Sequence, residues 1–164
     1  MYSESEVRAA TLEYFNGDEL ATNVFITKYC LRDNEGNFVE KTPQDMHNRM
    51  AAEFARVEEK HGGPRALTKE KIVEYFNNFK YIVPQGSPMM GIGNSYVNVS
   101  LSNCVVVDTP ADNVSSIVNA GRDLANLFKR RCGVGLDLSD LRPDGTTVNN
   151  SAGTTTGAWS FADF

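Results

Sequence analysis

Between residues 101 and 138 the chain reads strand, helix, strand, and that order constrains the fold more than any other feature. Leu101 to Val107 carries the strongest strand signal, a run of β-branched and apolar residues ending in CVVV. Asp112 is placed to cap a helix whose apolar face is Val114, Ile117, Val118, Gly121, Leu124, Ala125 and Phe128. Lys129, Arg130 and Arg131 followed by Gly133 close it. Val134 to Leu138 is the second strand. A strand, helix, strand series behind a helical region predicts the first unit of an α/β layer or barrel. The glycine pair of CGVGLD follows a helix and precedes a strand. Walker and dinucleotide loops need glycines that open a helix, so its free N–H groups face the phosphate, and both motifs are excluded here.

The first eighty residues are helical by periodicity. Val7, Leu12 and Phe15, then Leu20, Val24, Phe25 and Tyr29, recur at helical intervals on either side of a break at Asn16-Gly17. NEGN at 34 to 37 is a turn. Thr42, Pro43 and Asp45 supply an N-cap, a first-turn proline and a first-turn acid. The helix they open presents Met46, Met50, Phe54 and Val57 and stops at Gly62-Gly63. Another starts at Thr68 with Ile72, Phe76 and Phe79 inward. From Tyr81 the character changes, and IVPQGSPMMGIGNSYVNVS predicts loops and strands. The expected division is a helical region over 1–80 and an α/β region over 81–164, an α+β arrangement within this stretch.

The 164 residues are 41% hydrophobic and carry a net charge of −5, which favours a folded core and argues against nucleic acid or an anionic membrane as partner. No apolar run approaches the roughly 20 residues that span a bilayer. The start MYSESEVRAATLEYF is polar and acidic where a secretory leader is basic and then apolar, so a cytoplasmic protein is expected. Cys30, Cys104 and Cys132 form no CxxC pair, and neither a disulfide framework nor a metal site is expected. Cys30 and Cys132 read as structural. Cys104 admits two readings, a small core residue or a redox thiol at a strand end. His47 is expected in an exposed first turn and His61 near a helix end, neither with a ligand cluster around it. The helix start near Asp112 and the loop bearing Arg142 are the places where an anion would be met. A plain cap and a surface salt bridge describe the same two residues equally well.

Four stretches in order, PQGSPMMGIGN, SLSNCVVV, RRCGVGLDLSDLRPDGTTVNN and SAGTTTGAWSF, closely resemble the large, catalytic subunit of ribonucleotide reductase of the class I and class II lineage. YFNGDELATNVFITKYCLRD and TPQDMHNRMAAEFARVE resemble the start of that subunit's helical region. The resemblance spans nearly the whole chain. It implies a ten-stranded α/β barrel of which this chain holds the first strand-helix-strand unit. It makes Cys104 the first of two redox cysteines that reduce the ribose 2′ carbon and end as a disulfide. Ser87, Asn103 and Cys104 match positions bordering the substrate, with Asn103 standing where many relatives have serine. Asp112, Asn113, Val114, Arg142 and Asn149 match positions that meet an allosteric effector, a deoxynucleoside triphosphate or ATP. The helix from 113 to 131 would pair with its copy in a homodimer, and the loop after it would relay effector identity to the active site.

The same resemblance implies ribonucleotide substrates, thioredoxin or glutaredoxin as reductant, and a radical source that is either adenosylcobalamin or a separate metal-bearing subunit. No cofactor is expected on this segment itself, and no amino-terminal ATP-cone domain. The radical cysteine, the second redox cysteine and the phosphate loop fall beyond residue 164 in the family's order, so a complementing C-terminal polypeptide is the expected partner. The alternative expectation is a non-catalytic module that binds deoxynucleoside triphosphates and dimerises. It predicts effector binding weakened by Asp112→Ala or Arg142→Ala.

Overall fold

A computed structural model describes residues 1–163, which form two units, Met1–Leu101 and the stretch from Ser102 onward. The first is helical. α1 (Glu4–Tyr14) and α2 (Glu19–Lys28) make a hairpin whose break is Asn16 and Gly17, both at positive φ. Asp18 caps α2, its carboxylate accepting from the Ala21 N–H at 2.9 Å. α2 buries Thr22, Phe25 and Ile26, and Leu20 is exposed, contrary to expectation. Two residues separate Leu20 from Thr22, which is about 200° around a helix, so both cannot face one core.

α3 (Pro43–His61) opens as the sequence predicts. The Asp45 carboxylate accepts from the backbone N–H groups of Lys41 and Thr42 at 2.9 and 3.0 Å, and Gly62 follows the last helical residue. α4 (Lys69–Phe76) is capped by Thr68, whose hydroxyl accepts from Lys71 N–H at 3.3 Å, and runs into a 3-10 turn at Asn77–Phe79. The core of this unit gathers Val7, Phe25, Ile26, Cys30, Phe38, Met46, Met50, Ala51, Ile72 and Phe76. Met46 and Met50 are buried as expected, whereas Phe54 and Val57 lie at the surface because α3 outruns the core. Cys30 is a core thiol: burial, and then the nearby Glu40 charge, push it up to about 12.

His47 corrects the expectation of an exposed first turn. It is fully buried, stacked at 5.7 Å on Phe76 and edge-on at 4.6 Å to Phe79, and neither ring nitrogen has a hydrogen-bond partner. The buried stripe of α3 runs through Met46, His47, Met50 and Ala51, and this places the imidazole among aromatic rings. Burial pushes it down from 6.5 to about 4. The unfolded chain therefore binds the extra proton between those two values, and stability falls as pH drops from above 6.5 towards 4. The full loss is about 3 kcal/mol. Urea unfolding at pH 7.5 and 4.5 should show that loss in the natural chain and a much smaller one in His47→Leu. Equal pH dependence in both would refute it.

Residues 81–101, expected as loops and strands, contain a short helix instead, α5 (Gly86–Gly91). Pro88 is tolerated because it falls in the first turn, after Gln85 at the N-cap position. Arg49 of α3 donates to the carbonyl of Ile92 and, at 2.9 Å, to that of Met89, and so fixes the end of α5. The same guanidinium pairs with Glu40 at 2.6 Å, and Glu40 accepts from Leu31 N–H at 3.0 Å.

The second unit has the predicted order: β1 (Cys104–Val106), α6 (Val114–Phe128), β2 (Gly133–Gly135), then a short α7 (Gly157–Ala162). β1 and β2 pair in parallel, Cys104 with Gly133, Val105 with Val134 and Val106 with Gly135. Both strands are three residues long, shorter than the 101–107 and 134–138 expected. α6 also ends before 131. Arg131 takes a left-handed conformation, and Cys132 N–H returns to the Leu127 carbonyl at 3.2 Å.

Candidate functional site

The start of α6 is built from side chains close in sequence. Asn113, not Asp112, is the N-cap: its side-chain oxygen accepts from Ser116 N–H at 2.9 Å, and the Ser116 hydroxyl accepts from Ala111 N–H at 2.9 Å. This corrects the expectation of Asp112 as the cap: the two adjacent residues are of the same capping class. What separates them is Arg142, thirty residues on. Its Nε donates to Asp112 Oδ2 at 2.5 Å and its Nη2 lies 3.5 Å from the Asp112 carbonyl. Asp112 is drawn away from the helix, and Asn113 takes the cap.

The stretch after Arg142, expected as an adaptable polar loop, is a small hairpin. Thr147 bridges Thr154, Gly145 N–H reaches the Thr155 carbonyl at 2.9 Å, Thr155 N–H that of Thr146 at 3.0 Å, and Val148 N–H that of Gly153 at 3.0 Å. Asn150 makes its turn, accepting from Ala152 N–H at 2.9 Å. Between this hairpin and the start of α6 lies a cleft of about 440 Å³. It brings together Asp112, Asn113, Val114, Arg142 and Asn149, all five residues expected to meet an effector. Ile117, Val148, Asn150, Ala152, Thr154, Thr155, Thr156 and Phe161 line it as well, and sequence reasoning missed them. The Thr154–Thr156 run was visible as polarity, but nothing local says that a hairpin folds it back beside residue 113. Val114, Ile117, Val148 and Phe161 are the apolar members of the lining. Arg142 and the Asn and Thr side chains offer hydrogen bonds to oxygens.

Of the residues expected at the substrate, one belongs to the first unit and two to the second. Ser87 is buried on α5 in the first. Asn103 is half-buried and Cys104 exposed in the second, at the head of β1. The Asn103 carbonyl accepts from Gly133 N–H at 2.7 Å. A Cβ on Gly133 would stand 3.3 Å from both that carbonyl and Cys104 Sγ, so glycine keeps the space beside the thiol clear. The exposure of Cys104 separates it from Cys30 and Cys132, which are both buried. On this chain the core reading of Cys104 does not hold.

α6 leaves part of its apolar stripe uncovered, with Ile117 and Leu124 half-buried. Val114 is 66% exposed, Val118 57% and Phe128 57%, and a Cβ at Gly121 would meet nothing within 4 Å. Among the described residues no group of three His, Cys, Asp or Glu side chains is placed to hold a metal ion, and no helix is long and apolar enough to cross a membrane.

Comparison with known families matches both parts of the chain. A family model described as the all-alpha domain of ribonucleotide reductase matches residues 15–94, and one described as its barrel domain matches residues 102–164. A search of curated protein sequences gives no match.

Proposed function

Since this chain belongs to the ribonucleotide reductase large-subunit family, we propose that it supplies two parts of ribonucleotide reduction: a reducing thiol, Cys104, and an effector cleft between α6 and the 143–156 hairpin. The observation that carries the reading is the cleft itself, which the five expected positions, from two separate segments, line together. A lining that combines apolar side chains with a guanidinium and amide and hydroxyl groups suits a nucleotide, its base on the apolar residues and its phosphates on Arg142.

In this reading β1, α6 and β2 open the family's ten-stranded barrel. The reduction needs the remaining strands, on this polypeptide or on another. A thiyl radical takes the ribose 3′ hydrogen, which returns to the 3′ carbon at the end and regenerates the thiyl, and the 2′ hydroxyl leaves as water. Cys104 and a second thiol then give up two electrons and two protons and close to a disulfide, which thioredoxin or glutaredoxin reopens. Asn103, next to the thiol, borders the substrate. The exposed stripe Val114, Val118 and Phe128 packs against α6 of a second copy, which would remove from water the apolar surface this chain leaves open.

Calorimetric titration with dATP, dGTP and dTTP tests the cleft. Binding is expected, and Arg142→Ala should weaken it roughly ten- to hundredfold, the range for losing a charged hydrogen-bond donor to phosphate. Unchanged affinity in that variant would remove Arg142, and with it the cleft, from the effector site.

A further inference from the structure

The turn that ends α4 is strained and stands over a buried polar ring. Asn78 and Phe79 both take left-handed backbone conformations, at φ 52° and 54°. Asparagine visits that region at small cost, whereas a bulky aromatic residue rarely does, and here the two follow one another. Ring contacts hold the turn: Phe79 stacks on Phe15 of α1 at 6.3 Å and meets His47 of α3 at 4.6 Å. Two backbone bonds close it, from Lys80 N–H to the Asn77 carbonyl and from Ile82 N–H to the Tyr75 carbonyl, each at 3.1 Å. Phe79 is half-buried, yet the His47 ring it touches is fully enclosed. Among the described residues neither imidazole nitrogen has a hydrogen-bond partner. Phe79 also lines an apolar cleft of about 230 Å³, together with Phe15, Phe25, Tyr29, Met46 and Met89.

We propose that Asn77–Phe79 is a gate poised to open: Phe79 swings off His47 while α3 and α4 stay folded, and the imidazole is opened to solvent and to the apolar cleft. Opening relaxes two left-handed residues and gives both ring nitrogens hydrogen bonds with water, which the closed gate denies them. What it gives up is the contact of one half-buried ring with Phe15 and His47, and two backbone bonds that water can replace. Phe76, the other ring on His47, is buried and keeps helical dihedrals, φ −81° and ψ −26°. It has no strain to release, so the motion stops at the turn. A segment of this kind opens locally at a free energy well below that of global unfolding.

Diethyl pyrocarbonate, which modifies a neutral imidazole only where it can reach it, reads the gate in the full chain at neutral pH. The chain has two histidines, and the exposed His61 serves as the internal reference. Peptide mass mapping follows both residues at urea concentrations below the unfolding transition. Modification of His47 is expected at a rate that barely changes with low urea, because a local opening exposes little surface. Asn78→Gly, which relaxes the closed turn, should slow it about two- to fivefold. Phe79→Ala, which removes the gate's ring, should speed it about tenfold or more at the same shallow urea slope. If Phe79→Ala does not fold, the natural chain and Asn78→Gly decide the matter. A His47 rate that climbs from zero urea with the slope of global unfolding overturns the gate, and so does a rate indifferent to Asn78→Gly.

Discussion

Replacing Arg49 by methionine is expected to destabilise the first unit by about 3–5 kcal/mol, the usual result of stranding one member of a buried ion pair. Arg49 and Glu40 are 10% and 5% exposed. Without the guanidinium, Glu40 keeps, among the described residues, only the Leu31 N–H, and the carbonyls of Met89 and Ile92 lose the Arg49 donor. Desolvated groups left unpaired cost more than the bond itself is worth. The double variant Arg49→Met, Glu40→Met should recover part of the loss by removing the buried charge, but not all of it, because the two carbonyls remain unserved. Urea unfolding of the four members of this cycle measures the coupling. Hydrogen exchange should quicken around residues 86–94, since Arg49 ties that segment to α3. A loss under about 1 kcal/mol would mean that this clamp does not hold α5, nor position Ser87 upon it.

Cys104→Ser is expected to abolish multiple turnover of ribonucleotide reduction, once this chain is assembled with the remaining barrel strands. Serine is close in size, and β1 is held through backbone bonds to β2, so the variant should fold and bind effector in the cleft as before. In the proposed role of Cys104, what it lacks is a sulfur that can enter a disulfide, and electrons from thioredoxin would have no route to the ribose. Measuring product per enzyme over time with thioredoxin present decides it. Full turnover by the variant would remove Cys104 from the reducing pair.

Local chemistry was legible in the sequence. The first turn of α3 is set by Thr42, Pro43 and Asp45, the start of α4 by Thr68, and the breaks by Asn16-Gly17 and Gly62, because each acts through hydrogen bonds or dihedrals within about four residues. Asp112 and Arg142 were legible as places to meet an anion, whereas Asn113, Val114 and Asn149 were named only through family resemblance. α5 escaped because glycine and proline are poor helix formers, and its end is fixed by a guanidinium some forty residues earlier in the chain. His47 escaped for a related reason. Periodicity marks a helix's apolar stripe but does not say that a neighbouring polar ring will be enclosed by Phe76 and Phe79.

The adjoining residues Asp112 and Asn113 show where the division falls. By itself the sequence determined that a helix starts here, between one strand and the next, since capping side chains and an apolar period are properties of neighbours along the chain. Only the tertiary structure decided that Asn113 caps it while Asp112 meets Arg142. That choice depends on a partner thirty residues away, brought close by a hairpin whose own bonds had to form first. The same holds for Cys104. Its place in a strand was written locally, but its exposure depends on what packs over that strand, and this is fixed by contacts between segments that the order of residues does not display.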